Sequence, residues 1–366
     1  MSLILTFLGK GGVGKTTTAI AVARAFANQN KQVLLVGQQA GDSLSKRLSV
    51  DLHSDPQLVA QNFAAVHLQS TVLLERYWDR MKGLETQFLR TPFFKEVYGQ
   101  ELGILPGMDA ALGLSFLRER DAEAKYDVII YDGDGDLDTL RMLGMPEILG
   151  WYLRRFKQVL TGSAIGQAIS PFVEPILRSI LQVSSTDDIS QQAGEMSSVL
   201  TRGQKAVNDP NRVAAYLVTT SDPYAIATAK YLWGSAQQVG LTIGGVFVRD
   251  MTATLDSKLD FESNFVSDFA PLSICQVPDQ VTELAIPERL NAVLAPKPIE
   301  IDVVTKQVKL FLPTFNKKQV KLIQLGPEVT IEAGDQRRNI FLPTELAGKQ
   351  ATGAKFQDSY LIISFG

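Results

Sequence analysis

Cysteine is nearly absent from this chain: 366 residues contain one, Cys275, and histidine appears only as His53 and His67. A single thiol excludes an intramolecular disulfide and any cluster of thiolate metal ligands, and two histidines argue against a structural zinc site within one chain. Excess charge is missing as well, since 36 basic residues face 39 acidic ones for a net charge of -3. So balanced a surface gives little support to a nucleic-acid or anionic-membrane partner. No uninterrupted apolar run reaches the roughly 18 to 20 residues of a spanning helix, so no stable membrane insertion is expected. The N-terminus runs directly into a strand pattern, "LILTFL", so no signal peptide is expected. Together these absences point to a reducing, cytoplasmic setting.

The chain does hold 45% hydrophobic residues, enough for a large core and two domains. Up to about residue 290, short β-rich runs alternate with helical patterns. Leu3–Leu8, 32–36, 102–105, 127–131, 213–218 and 242–248 are apolar with little alternation, as buried parallel strands are. Ala19, Ile20, Ala23, Phe26 and Ala27 form a helical stripe, and "SDPYAIATAKYLW" supplies Asp222 as N-cap with Pro223 as first helical residue. Such alternation predicts a mostly parallel α/β sheet covered by helices on both faces. At 294–303, "LAPKPIEI" and its flanks read as a linker between a domain at 1–293 and another at 304–366. Beyond it the apolar period becomes 2, in Val308, Leu310 and Leu312 and in Leu361, Ile363 and Phe365, which predicts a small all-β sandwich. Residues 304–366 carry nine Lys/Arg and five Asp/Glu, so this part is basic while the rest is acidic.

The most specific stretch is "FLGKGGVGKTTTAI" at 7–20. Gly9 to Thr16 fits G-x-x-x-x-G-K-[ST] between a predicted strand and a predicted helix, the context in which the motif carries weight. Gly9, Gly11, Gly12, Val13 and Gly14 let successive backbone N–H groups close on phosphates, and the helix N-terminus, with Thr17, adds its dipole. Lys15 is placed to neutralise the β/γ oxygens of ATP, and the Thr16 hydroxyl to hold Mg²⁺. Asp132 follows four apolar residues in "YDVIIYDGDGDLD", where it could hold the metal through water, while Asp127 reads as a solvated strand end. Asp134, Asp136 and Asp138 fit either an acidic loop facing the nucleotide or a solvated turn.

Lys10 is one lysine more than such a loop needs. "KGGVGKTT" is the deviant form of the motif, and "DTLRMLGMP" at 138–146 resembles the segment after the switch II aspartate in the arsenite-pump and tail-anchored-protein-targeting ATPases. "LLVGQQAGDSLS" (34–45) matches their first switch and "LPGMDAAL" (105–112) their proline-glycine-acid segment, so the resemblance spans roughly 1–290. It implies an ATP-dependent homodimer in which Lys10 reaches the phosphates of the partner's nucleotide. It also implies a catalytic role for the first switch, with departures. Gln39 stands where the family has a water-activating aspartate, and Asp42 where it has histidine. A glutamine can orient water but cannot take its proton, so slow hydrolysis is expected unless Asp42 or a switch II aspartate assists. Arg249 replaces the asparagine that reads adenine after "GGVFV", and the paired cysteines of relatives are absent.

Residues 304–366 resemble the α-crystallin domain of small heat-shock proteins through "LFLP", "RRNIFLP" and "ATGAKFQDSYLIISF", with Ser359 where glycine is common. That domain could be chaperone-like or a dimer-stabilising appendage. Two helical regions are expected at about 58–82 and 148–183. In the targeting ATPases the equivalent helices open a groove for an apolar client segment, and the alternative is that they bury against the sheet. Apolar-segment targeting or chaperoning is the leading function. A nucleotide-gated regulator without a groove and a small-molecule ligase of the same loop class are the rivals.

Overall fold

The computed structural model describes residues 1–39, 41–88, 107–162, 189–249, 265–277, 292–334 and 336–366. Its N-terminal part is built on an eight-stranded sheet. In chain order the elements are β1 (Leu3–Leu8), α1 (Lys15–Asn28), β2 (Val33–Gly37), α2 (Ser43–Leu48), β3 (Gln57–Ala60), β4 (Phe63–His67), α3 (Ser70–Phe88) and α4 (Met108–Ala122). They continue with β5 (Val128–Asp132), α5 (Leu137–Gly162), α6 (Ile189–Val207), β6 (Val213–Thr219), α7 (Pro223–Gln238), β7 (Thr242–Arg249) and β8 (Ile274–Val277). The strand order is β3-β4-β2-β5-β1-β6-β7-β8, and every pairing is parallel except β3 with β4. Strands such as "VLLVG", "VIIYD" and "VAAYLVT" are buried at every residue, because helices cover both faces. One face packs on α1 and α2 through Ala19, Val22, Leu44 and Leu48. The other packs on α3, α4, α5 and α7 through Leu73, Leu112, Leu140 and Trp233.

The second part is the expected all-β unit. One sheet has the order β14 (Ala351–Gln357), β15 (Tyr360–Phe365), β10 (Gln307–Phe311), β9 (Ile299–Asp302). The other is β11 (Val320–Leu325), β12 (Glu328–Ala333), β13 (Gln336–Phe341), and all pairings are antiparallel. Between them lie Val308, Leu310, Val329, Ile331, Ile340, Leu361 and Ile363. Period 2 turns Phe311 the other way, into the core of the first domain, where its ring meets Trp233 of α7 at 5.8 Å. Thr314 donates to the Lys230 carbonyl at 3.0 Å. At Gly234 a Cβ would lie 2.6 Å from the Phe315 ring and 2.7 Å from the Pro313 carbonyl oxygen, so the close approach of the two domains requires glycine there.

Two sequence expectations change. The region at about 58–82 is helical only from Ser70; before that, β3 and β4 form a hairpin through Asn62, whose φ is 60°. Leu58, Val59, Phe63 and Val66 happen to have helical spacing, yet Leu58 is 74% exposed and the backbone groups of Phe63–His67 are taken by β2. The linker at 294–303 contains a strand, since β9 pairs with β10 and the Asp302 carboxylate closes the turn by accepting from Val304 and Thr305 N–H. The strand at 102–105 and the greater part of the helical region at 148–183 lie outside the described residues; within them α5 runs on to Gly162. No helix among the described residues is long and apolar enough to cross a membrane.

Candidate functional site

Parallel strands end on one edge of a sheet, and ligands collect outside their carboxyl ends. Here β1, β2, β4, β5 and β7 deliver Gly9, Gln38 and Gln39, His67, Asp132 and Arg249 to that edge. The loop from Gly9 to Gly14 turns into α1 with Gly12 and Gly14 at φ of 86° and 93°, a region costly for any other residue. Gly14 is the N-cap of α1 and has no side chain to cap with, and the first turn holds no acidic residue. The leading N–H groups of the helix are thus left for an anion.

Lys15 is buried beneath the loop, its ammonium donating to the carbonyls of Gly9 at 2.9 Å and Lys10 at 3.2 Å. Burial pulls its pKa down, opposed by the negative charges of Asp132, Asp136 and Asp134. Gly135 lies against its alkyl chain, and the Gly135 carbonyl accepts from Gly9 N–H at 2.9 Å, so the loop after β5 touches the phosphate loop. Asp132 is buried at the end of β5. Burial pushes its carboxyl up to about 6, against a hydrogen bond from Thr16 and the charges of Lys15 and Arg47.

Gln39 lies between these two. Its Oε1 stands 3.3 Å from the Thr16 hydroxyl, and its Nε2 donates to the Gly133 carbonyl at 2.9 Å and, at a long 3.5 Å, to Asp132 Oδ1. The His67 ring donates through Nε2 to the Gln39 carbonyl at 2.9 Å. One residue earlier, Gln38 accepts from the Tyr131 hydroxyl at 3.0 Å and donates to the Asp109 carbonyl at 2.7 Å. Arg47 of α2 donates to the Thr17 hydroxyl at 3.1 Å. The guanidinium of Arg249 packs on Gly14, with its Cδ 2.8 Å from where a Cβ would stand.

Of the residues singled out in the sequence, Gly9, Gly11, Gly12, Val13, Gly14, Lys15, Thr16, Thr17, Gln39, Asp132 and Arg249 therefore gather at one strand edge. Lys10 is half-exposed and 3.8 Å from the Asp222 carboxylate. Asp222 is the N-cap of α7, accepting from the N–H groups of Tyr224 and Ala225, with Pro223 as first helical residue. Asp42 sits apart, exposed at the N-cap of α2 and making no cap hydrogen bond. In the acidic loop, Asp136 accepts from Asp138 N–H at the start of α5, and Asp138 pairs with Arg141 at 2.6 Å, so these two mark a helix start. Exposed Asp134 remains the loop's carboxylate that acts on Lys15 without such a role.

His67, Arg47 and Gln38 were not visible as site residues in the sequence. Their signal was positional: His67 closes the run "FAAVH", whose strand character was masked by helical spacing.

No group of three or more His, Cys, Asp or Glu that could hold a metal occurs among the described residues. A magnesium ion does not require one. It keeps most of its waters and is held by one or two protein oxygens with phosphate completing the shell, which the Thr16 hydroxyl and Asp132 carboxylate fit.

A family model described as "Anion-transporting ATPase" matches residues 2–266, and one described as "HSP20-like domain found in ArsA" matches residues 305–365. A protein of Chlorobaculum tepidum that carries the provisional name arsenical pump-driving ATPase is 22% identical over 99% of this chain and 95% of its own. A similarly named protein of Aquifex aeolicus is 21% identical over 98% of this chain and 99% of its own. ATPase ASNA1 homolog 1 of Paramecium tetraurelia is 30% identical, over 41% of this chain and 46% of its own.

Proposed function

The chain belongs to the anion-transporting ATPase family, which implies ATP binding and hydrolysis, and from that premise we propose a homodimeric, Mg²⁺-dependent ATPase that binds and releases apolar protein segments. Lys15 turns from the loop carbonyls to the β/γ oxygens, and the N–H groups of Gly12 to Thr17 close on the phosphates. Bound between Thr16 and Asp132, Mg²⁺ would offset charge on the phosphate oxygens. Gln39 orients the attacking water without accepting its proton, so turnover is slow. Lys10 gives up its ion pair with Asp222, which at this exposure is worth little, and reaches the partner's nucleotide.

The observation that carries the client reading is the course of α5. The helix springs from Leu137, immediately after the loop that touches Lys15, and exposes Ile148 and Tyr152 one turn apart, at 41% and 51%. Movement at the phosphates thereby reaches an apolar surface. Relatives are named for arsenical pumps, yet one cysteine cannot supply several thiolates to a metalloid within a subunit. An apolar segment fits better.

The test is capture of a fluorescent apolar helical peptide by the full chain with and without ATP and Mg²⁺. Capture should require nucleotide, and replacing Ile148 and Tyr152 by Asp should lower it at least tenfold while leaving ATP affinity unchanged. Equal capture by the double variant would remove α5 from the client surface. No capture in any nucleotide state would leave a nucleotide-gated regulator without a groove.

A further inference from the structure

A carboxamide offers an acceptor at one tip and two donors at the other. In Gln39 both tips are engaged within the pair of residues that fits Mg²⁺. Oε1 faces the Thr16 hydroxyl at 3.3 Å, and Nε2 faces Gly133 O at 2.9 Å and Asp132 Oδ1 at 3.5 Å. To hold a cation, the Thr16 oxygen must present a lone pair to it, and the Asp132 carboxylate must turn to the cation's waters. The Thr16 hydroxyl keeps its lone pairs while it donates, but the amide, 3.3 Å from Thr16 and 3.5 Å from Asp132, fills the space that the cation and its waters would need.

The segment that carries the amide is held in place as well. His67 holds the Gln39 carbonyl at 2.9 Å, and Gln38 is fixed between Tyr131 at 3.0 Å and the Asp109 carbonyl at 2.7 Å. Those contacts join the end of β2 to β4, β5 and α4, so the position of Gln39 does not depend on the amide alone. An aspartate at the same place could not bridge in this way. It would set a second carboxylate against Asp132, and like charges at such range repel.

We infer that, in the nucleotide-free chain, the Gln39 amide, set against both Thr16 and Asp132, is an internal occupant of the Mg²⁺ position, and that it must swing out before the cation enters. The inference rests on the phosphate-site reading above and adds a regulatory step to it. Phosphate binding needs only the turn of Lys15 away from the loop carbonyls, whereas metal binding competes with the amide. Magnesium is therefore required at a higher concentration than the Thr16–Asp132 pair alone would need. Once displaced, the same amide is free to orient water, so one residue delays metal entry and later serves turnover.

The experiment is calorimetric titration of ATP into the full-length wild type and Gln39→Ala, first in EDTA and then across a series of Mg²⁺ concentrations. Gln39 lies in a half-buried loop at the strand edge, so the variant keeps its fold. ATP affinity in EDTA should be the same for both proteins within about twofold. The Mg²⁺ concentration that gives half of the metal-dependent tightening should fall roughly threefold to tenfold in Gln39→Ala, the scale of one net hydrogen bond. An unchanged or raised Mg²⁺ requirement, with ATP binding in EDTA intact, overturns the internal occupant and leaves the phosphate site standing. Failure of the wild type to bind ATP in both media removes the phosphate site, and the occupant with it.

Discussion

Arg338 of β13 is buried, yet it belongs to the second domain and its partners belong to the first. Its guanidinium donates to the Gln237 carbonyl at the end of α7 at 2.9 Å and, at a long 3.5 Å, to Asn208 Oδ1 just past α6. The negative charge beside it is Glu147 of α5, which accepts from the Gln204 side chain and from Asn339 N–H. Replacing Arg338 by Met removes its charged hydrogen bond to Gln237 and the positive charge beside Glu147, a loss of about 1.5–3 kcal/mol. Glu147 retains some solvent access and two other hydrogen bonds, so about 3 kcal/mol is the most that is expected.

In urea, with a slope of about 3 kcal/mol per molar, that is a midpoint lower by about 1 M. The effect should depend on pH. Burial raises the Glu147 pKa above its ordinary value in spite of Arg338. A raised carboxyl favours the fold below the unfolded pKa, and that contribution is lost as pH rises through the folded one. Without Arg338 the carboxyl rises further, so the loss should be full near neutral pH and shrink on acidification as Glu147 takes up its proton. Adding Glu147→Gln to Arg338→Met should recover part of the loss near neutral pH. A loss that is the same at all pH values, with no recovery in the double variant, would refute the charge coupling and leave only lost packing.

Two further outcomes test the site. Lys15→Ala should weaken ATP binding by about 1.5–3 kcal/mol, one buried charge-assisted contact, and unchanged affinity by calorimetry would contradict the phosphate site. Lys10→Ala should keep ATP binding within a chain but blunt the ATP-dependent compaction of the dimer in small-angle scattering. A wild-type response would show that Lys10 stays with Asp222.

How much of this was legible in the sequence follows from where the determinants lie. The phosphate loop could be read because its glycines, lysine and threonine are contiguous, and Asp132 because it ends an apolar strand. Asp222 and Pro223 declared the start of α7 for the same local reason. The hairpin at 57–67 was hidden because its apolar residues share helical spacing; only pairing with β2, in register Val33 to Phe63, makes it a sheet. His67, Arg47 and Gln38 became visible only when β2, β4 and α2 were brought to one edge. Arg338 gave no signal at all. In "RRNIF" it reads like its exposed neighbour Arg337, and only the helices of the other domain distinguish the two.

That last contact bears on what the second domain is for. Glu147 lies ten residues into α5, about 15 Å along the axis from its start at the switch loop. Between them Pro146 packs where a Cβ on Gly203 of α6 would lie 3.1 Å away, so the two helices have little room to slide. Were nucleotide to shift Asp132–Gly135, a helix braced in this way would carry the shift along its length. At Glu147 it would meet the buried Arg338 guanidinium, which is held on α7 by the Gln237 carbonyl. Either the all-β domain moves with α5, or α5 is held back by the domain. In both cases the energy of domain docking would enter the energy of such a switch. The all-β domain is fastened mainly to α7, through Lys230, Trp233, Gly234 and Gln237, and reaches α5 at Glu147, so a movement of α5 relative to α7 would have to work against that second attachment.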